Sequence, residues 1–161
     1  MIKKLLWVDD DGPERFLYET FLLESHGWEV DWKGDVQQAI AALSTGAYDA
    51  LILDHLIPVE GRASVAELWS GLAIFGWLRQ SRLPNAIFGT LPLYENSAPL
   101  DSNKRIPVCF ISAFYDEEIE AAIGLIEAEG ERVSHLSKPI ATKNLIDFLD
   151  SVVDRGHEGQ R

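Results

Sequence analysis

The sequence predicts an α/β fold in which a five-stranded parallel sheet is covered by helices on both faces. Two observations support this class. Five short apolar segments alternate along the chain with five longer segments of helical periodicity, which favours right-handed crossovers between parallel strands. Two of the apolar segments also end directly on carboxylates, at Asp9 and at Asp54. Parallel sheets bind their ligands beyond the carboxyl ends of the strands, so these acids mark a candidate site.

The first strand and the first helix are predicted before Gly27, which acts as a stop signal. Residues 2–8 form an apolar run broken only by two lysines, as expected for a strand covered on both faces. A helix is predicted from Pro13, with Asp11 or Gly12 before it as the cap. The pattern that predicts it recurs at helical spacing: Phe16, Leu17, Thr20 and Phe21.

The rest of the chain repeats this alternation up to residue 153. Asp35 and Gly46 are the predicted cap and stop signal of the second helix. The remaining strands are predicted at residues 28–32, 50–53, 106–112 and 132–137, and the remaining helices at 35–46, about 72–79, 116–130 and about 142–153. We therefore expect a single domain over residues 1–153, followed by a polar tail at 154–161.

Composition narrows the possible partners. The chain has 14 Lys plus Arg against 26 Asp plus Glu, a net charge of −12 that repels nucleic acids. The only cysteine, Cys109, lies in an apolar segment and is interpreted as a core side chain, which suits a reducing cytoplasm. The N-terminal apolar run is too short for a signal peptide or a membrane span. No nucleic-acid or membrane partner is expected.

Polar residues follow four of the predicted strands. Asp9, Asp10 and Asp54 would meet at one edge of the sheet, where a hard cation such as Mg²⁺ would offset their repulsion. Ser112 and Lys138 would add a hydroxyl and a positive charge, suited to a phosphoryl group that a carboxylate could accept covalently. Taken one at a time, the acids could equally be helix caps, and the other residues ordinary loop features.

These segments resemble the receiver domain of two-component response regulators. The resemblance rests on "LLWVDDD", "LILDHLIP", "IPVCFISAF" and "HLSKPI", and it covers residues 2–153 apart from inserted segments. From Asp10 to Asp54 there are 54 − 10 = 44 residues, which matches the usual spacing of the family. The resemblance implies a flavodoxin-like (CheY-like) doubly wound sheet with strand order 2-1-3-4-5.

The resemblance also implies a role for each residue of the site. Asp54 would be phosphorylated and Lys138 would contact the phosphoryl group. Ser112 and His135 would form the switch, and the peptide bond before Pro139 would be cis. Four residues would bind Mg²⁺: Asp9, Asp10, Asp54 and, through its backbone carbonyl, Leu56.

The function implied is that of a phosphoacceptor that catalyses its own phosphotransfer, not of a turnover enzyme. Its donor would be a sensor histidine kinase or a histidine phosphotransfer protein. The fourth helix, fifth strand and fifth helix would signal to a downstream protein, and because only a polar tail follows Val153 a stand-alone regulator is expected.

One alternative is a phosphorylation-independent binding module that uses the insertions. An aspartyl-phosphate hydrolase is disfavoured because Leu56 stands where such enzymes carry a second acid.

The chain departs from the family between Asp54 and Ser112, which are 112 − 54 = 58 residues apart, about twice the usual interval. Insertions are predicted at about residues 59–70 and 81–105. The first would extend the third helix or form a flap, and the second is expected to pack on its own domain rather than to dock a partner.

The resemblance also implies a long-lived phosphorylated state. In the family, the positions of Leu56 and Phe114 tune the attack of water on the phosphoaspartate, and two bulky apolar residues would exclude that water. His26 and His55 are interpreted as surface or satisfied polar residues, not as metal ligands.

Overall fold

A computed structural model describes residues 2–57, 70–80, 97–113, 117–131 and 133–158 of the chain. Its centre is a five-stranded parallel sheet in the order β2-β1-β3-β4-β5, which confirms the predicted fold class and strand order. The strands are β1 (Lys3–Val8), β2 (Trp28–Lys33), β3 (Ala50–Asp54), β4 (Val108–Ser112) and β5 (Val133–Ser137).

Five α-helices in the described residues alternate with the strands, as the sequence predicts. None of them is long and apolar enough to cross a membrane. A 3₁₀ turn at Pro13–Phe16 leads into the first helix, and another lies at Asp101–Asn103 before β4. The helices are α1 (Leu17–Ser25), α2 (Val36–Thr45), α3 (Ser70–Arg79), α4 (Glu117–Ala128) and α5 (Thr142–Glu158).

The sheet is buried on both faces. Leu6 and Val8 of β1 point into one cluster, formed with α2, α3 and α4, whereas Leu5 and Trp7 point into another, formed with α1 and α5. All four side chains are inaccessible to solvent. The central strands therefore need apolar residues at consecutive positions, which explains the unbroken apolar runs in the sequence.

The predicted ends of the first and last helices can be compared with the structure. Of the two predicted caps before Pro13, Gly12 is the N-cap residue of the 3₁₀ turn, without a side-chain cap, whereas the carboxylate of Asp11 contacts Arg15 and Lys138. Helix α5 continues to Glu158, past the predicted end at Val153.

The first helix buries only part of its apolar pattern. Phe16 and Leu23 are buried, whereas the side chains of Leu17 and Phe21 are 67% and 69% exposed. The chain enters α1 through a 3₁₀ turn, which has three residues per turn and so rotates the following positions relative to an uninterrupted α-helix. Phe16 lies against Trp7, with ring centroids 5.0 Å apart.

The described end of the second insertion packs on its own domain, as the sequence predicts. The side-chain amide of Asn103 is completely buried and donates to the carbonyls of Leu43 at 2.8 Å and Gly46 at 2.6 Å. Its oxygen accepts from the Tyr48 backbone N–H at 3.0 Å. The expectations for the rest of the two insertions, 59–69 and 81–96, lie outside the described residues.

Asn103→Ala is expected to lower the free energy of unfolding by about 2–4 kcal/mol, because three backbone groups lose a hydrogen bond to this buried side chain and only the carbonyl of Leu43 keeps another donor among the described residues, the N–H of Leu100. Urea denaturation measures this loss. The exposed neighbour Ser102 provides the control, since Ser102→Ala is expected to change stability by less than about 0.5 kcal/mol. Equal stabilities for the two variants would contradict the role assigned to Asn103.

Candidate functional site

The predicted site residues lie at one edge of the sheet because the strands that carry them end in register. Val8, the last residue of β1, pairs with Leu53 of β3, and Asp54 pairs with Ile111 of β4. Ser112 pairs with the last residue of β5. Asp9 and Lys138 come directly after β1 and β5, so both reach the same edge.

Lys138 joins the acids of this edge. Its Nζ lies 2.8 Å from Oδ2 of Asp9, 2.5 Å from Oδ2 of Asp54 and 3.2 Å from Oδ2 of Asp11. Its backbone N–H donates to the carbonyl of Ser112 at 2.8 Å, and its peptide bond to Pro139 is cis, as predicted. The lysine is thereby held by both its backbone and its side chain.

Three carboxylates form a cluster that fits a magnesium ion. Asp9, Asp10 and Asp54 each offer one oxygen, and these oxygens lie within 4.8 Å of one another. Mg²⁺ prefers hard oxygen ligands and usually retains several waters. Asp9 and Asp54 are buried whereas Asp10 is exposed, so the cluster is anchored in the protein but open to solvent on one side.

Backbone amides orient the two buried carboxylates in the same way. Oδ1 of Asp9 accepts from the N–H of Asp11 at 2.9 Å, and Oδ1 of Asp54 accepts from the N–H of Leu56 at 3.0 Å. Each is an Asx turn, in which the side chain binds the amide two residues on. The second oxygen of each carboxylate is left facing Lys138.

The chain is similar to known proteins in structure but not detectably in sequence. No family model and no curated protein matches the sequence. The receiver domain of the Francisella response regulator 1452 is 21% identical and has a TM-score of 0.64, with 96% of this chain and 98% of that one covered. A CheY-like receiver domain protein from Methanospirillum hungatei is 15% identical with a TM-score of 0.64, and 99% of both chains is covered.

A third structure is the receiver domain of the sensor histidine kinase PA1611 from Pseudomonas aeruginosa, which has a magnesium ion in its active site cleft. It is 18% identical, with a TM-score of 0.60, and 96% of this chain and 99% of that one are covered. The chain has the receiver-domain fold.

Within the receiver fold, burial and charge set the protonation of the site. Burial raises the pKa of Asp54 and of Asp10, with the neighbouring acids adding to the rise. Burial alone would lower the pKa of Lys138, but its hydrogen bonds to Asp54 and Asp9 outweigh this and raise it. The lysine therefore stays charged, and the carboxylates gain stability from any further cation at the cluster.

Asp11 is a site residue that sequence reasoning missed. It binds Lys138 and, at 2.8 Å, the guanidinium of Arg15. Burial raises its pKa, but Lys138 and Arg15 together outweigh this and lower it overall. The signal was present in the third carboxylate of "LLWVDDD", but an acid before a helix is more commonly a cap. Only its contact with Lys138, 127 residues away in sequence, places Asp11 in the acid cluster.

The predicted switch residues of the receiver fold lie behind the acids. Ser112 is buried at the end of β4, and His135 is half-buried on β5. His55, interpreted from sequence as a surface or satisfied polar residue, is completely buried; its ring stacks on Phe110 at 4.9 Å and lies 5.6 Å from the ring of His135. It is buried because it continues β3 beneath α3. Phe114 lies outside the described residues.

Burial lowers the pKa of His135, which keeps this ring uncharged at neutral pH. An uncharged imidazole is compatible with its apolar surroundings in the receiver fold, where a charged ring would be costly. The half-buried, uncharged ring lies on β5, the strand that pairs with the strand of Ser112.

Proposed function

We propose that the chain is a cytoplasmic response regulator receiver that accepts a phosphoryl group on Asp54 in a Mg²⁺-dependent reaction. The phosphodonor is the phosphohistidine of a sensor histidine kinase or of a histidine phosphotransfer protein. The observation that carries the proposal is the convergence of Asp9, Asp10 and Asp54 within 4.8 Å beside the ammonium of Lys138. That set of groups suits a phosphoryl group bound together with a divalent cation.

The transfer needs mainly positioning and charge. Asp9, Asp10, Asp54 and the Leu56 carbonyl would hold Mg²⁺, which when bound would neutralise charge on the phosphoryl oxygens. A carboxylate oxygen of Asp54 attacks phosphorus, the bond from phosphorus to the donor imidazole breaks, and its electrons stay on the leaving nitrogen. Lys138 binds a phosphoryl oxygen and offsets the negative charge that develops in the transition state.

Phosphorylation is then transmitted by the switch residues. The hydroxyl of Ser112 donates to a phosphoryl oxygen, and His135 follows into the space that this movement leaves. The change shifts the surface of α4, β5 and α5 between two arrangements, and a downstream protein binds one of them. The chain is modified by this reaction and is not a turnover enzyme.

An acyl phosphate donor tests the proposal, with the intact mass of the chain as the measurement. Wild type is expected to gain one phosphoryl group with Mg²⁺ and none when the metal is chelated, because the charges then repel the donor. Asp54→Asn is expected to gain none. Asp49→Asn is the matched control, since Asp49 binds a backbone amide at the opposite edge of the sheet and should leave the reaction unchanged.

A gain of mass in Asp54→Asn equal to that of wild type would contradict the proposal. So would a wild type that responds neither to acyl phosphates nor to beryllofluoride. If, in addition, Asp54→Asn bound the downstream partner as well as wild type does, the chain would act as a phosphorylation-independent binding module.

A further inference from the structure

Ser70, the first residue of α3, makes contacts that its place in the sequence does not suggest. Its side chain is completely buried. Its Oγ accepts from the backbone N–H of Ile57 at 2.7 Å and donates to the carbonyl of the same residue at 2.7 Å. The carbonyl of His55, at 3.5 Å, is too distant to compete for the single hydroxyl proton.

The first of these bonds fixes the direction of a different atom, the carbonyl oxygen of Leu56. The N–H of Ile57 and the C=O of Leu56 belong to one planar trans peptide group, in which they point in opposite directions. Because the N–H points at a buried hydroxyl, the carbonyl must point away from α3. Leu56 is 40% exposed and its N–H binds the carboxylate of Asp54, so this peptide lies near the surface beside the acid cluster.

The peptide groups on the N-terminal side of this carbonyl are also fixed. The N–H of Leu56 donates to Oδ1 of Asp54 at 3.0 Å. The N–H of His55 donates to the carbonyl of Ile111 at 3.1 Å, and its carbonyl accepts from Gly71 at 3.3 Å. Ser70 completes this set, since its hydroxyl is the partner that the structure gives to the N–H of Ile57. The peptide group that carries the Leu56 carbonyl is therefore held at its N–H by the hydroxyl of Ser70.

We propose that Ser70 is a positioning residue for the magnesium site: its hydroxyl holds the Ile57 amide so that the Leu56 carbonyl faces the ion. The inference rests on the proposed function, which assigns that carbonyl to Mg²⁺. A side chain that orients a metal ligand through a hydrogen bond typically weakens metal binding by about 10–100-fold when it is mutated. A structural role alone, in which Ser70 only closes the first turn of α3, would affect stability but not affinity for the ion.

Ser70→Ala tests this directly, because it removes the hydroxyl and leaves the side chain otherwise similar in size. Three quantities are measured: hydrogen exchange of the Ile57 amide without metal, the dissociation constant of Mg²⁺ by calorimetry, and the rate of phosphorylation against Mg²⁺ concentration. Asn103→Ala is the control for stability, since it removes buried hydrogen bonds at the opposite edge of the sheet.

We expect Ser70→Ala to expose the Ile57 amide to exchange and to weaken Mg²⁺ binding by about tenfold. Its phosphorylation rate should approach that of wild type at saturating Mg²⁺, because the loss lies in metal binding. Asn103→Ala should match wild type in Mg²⁺ affinity. If Ser70→Ala does not fold, Ser70→Cys replaces it, with a smaller loss of affinity expected because a thiol is a weaker hydrogen-bonding group.

Two results would overturn the inference, and they have different meanings. If wild type binds Mg²⁺ and the Ser70 variant binds it within twofold of wild type, Ser70 has a structural role only, while the proposed function stands. If wild type itself binds no Mg²⁺, the proposed function fails, and the role of Ser70 fails with it.

Discussion

Lys138→Ala is expected to lower the free energy of unfolding by about 3–5 kcal/mol in metal-free buffer at neutral pH. The side chain of Lys138 is only 8% exposed, and the carboxylates it contacts on Asp9 and Asp54 are equally buried. Removing the ammonium leaves two buried negative charges without their cation, next to a third at Asp10. Thermal denaturation without metal measures the loss.

The response to ions and protons distinguishes this explanation from a simple packing defect. Mg²⁺ should stabilise Lys138→Ala more than wild type. The ion replaces the missing positive charge, and it no longer competes with the lysine ammonium for the carboxylate oxygens of Asp9 and Asp54. The deficit should also shrink as the pH falls. Burial already raises the pKa of Asp54, and a carboxyl group with a raised pKa in the folded state stabilises that state when protonated and loses this stabilisation as pH rises.

Lys143→Ala is the matched control for this variant. Lys143 contacts Asp147 at 2.5 Å, a distance equal to that between Lys138 and Asp54, but the Lys143 side chain is 82% exposed. Exposed pairs contribute less than about 1 kcal/mol, so this variant should melt within a few degrees of wild type. If the two lysine variants lost the same stability, or if neither responded to Mg²⁺, the lysine would not neutralise the acid cluster.

Gly71→Ala is the second change expected to have a large effect, with a loss of about 3 kcal/mol in the free energy of unfolding. A Cβ atom on Gly71 would lie 2.2 Å from the carbonyl oxygen of Asp54 and 3.1 Å from Cα of His55. Both contacts are with backbone, which cannot rotate away as a side chain would. Either the start of α3 or the backbone of Asp54 must move to relieve these contacts, and a movement of Asp54 would also disturb the acid cluster.

Gly124→Ala provides the comparison, because in the described part of the chain no heavy atom beyond the neighbouring residues and the backbone of its own helix lies within 4 Å of the Cβ position on Gly124. Alanine is favoured over glycine in a helix, so this change in α4 should stabilise the chain by about 0.5–1 kcal/mol. Opposite signs for the two substitutions in chemical denaturation would support the close approach of α3 to β3. A Gly71→Ala variant that is as stable as wild type and gains a phosphoryl group as wild type is proposed to do would show that α3 does not restrict β3.

The sequence was sufficient to predict the sheet, and the meeting of Asp9, Asp10, Asp54 and Lys138 at one edge of it, because both depend on local patterns. A strand buried on both faces requires a continuous apolar run, and a site beyond the strand ends requires polar residues immediately after such runs. Both signals lie within a few residues of Asp9 and Asp54. The spacing of motifs along the chain then supplied the resemblance to receiver domains.

The parts that the sequence did not predict depend on contacts between distant segments. Ser70 is 13 residues from Ile57, and Asp11 is 127 residues from Lys138, so no local pattern marks either contact. The glycine at position 71 looks like an ordinary weak point in a helix until the backbone of Asp54 is placed against it. The exposure of Leu17 and Phe21 likewise depends on the 3₁₀ entry to α1, which apolar periodicity does not reveal.

The most direct measurement of the central claim is peptide mapping by mass spectrometry of the chain after incubation with an acyl phosphate. The account predicts that, in the presence of Mg²⁺, the phosphoryl group is found on the peptide that contains Asp54, and that chelation of the metal abolishes it. A phosphoryl group on any other peptide, or equal labelling of Asp54 without a divalent ion, would contradict the account.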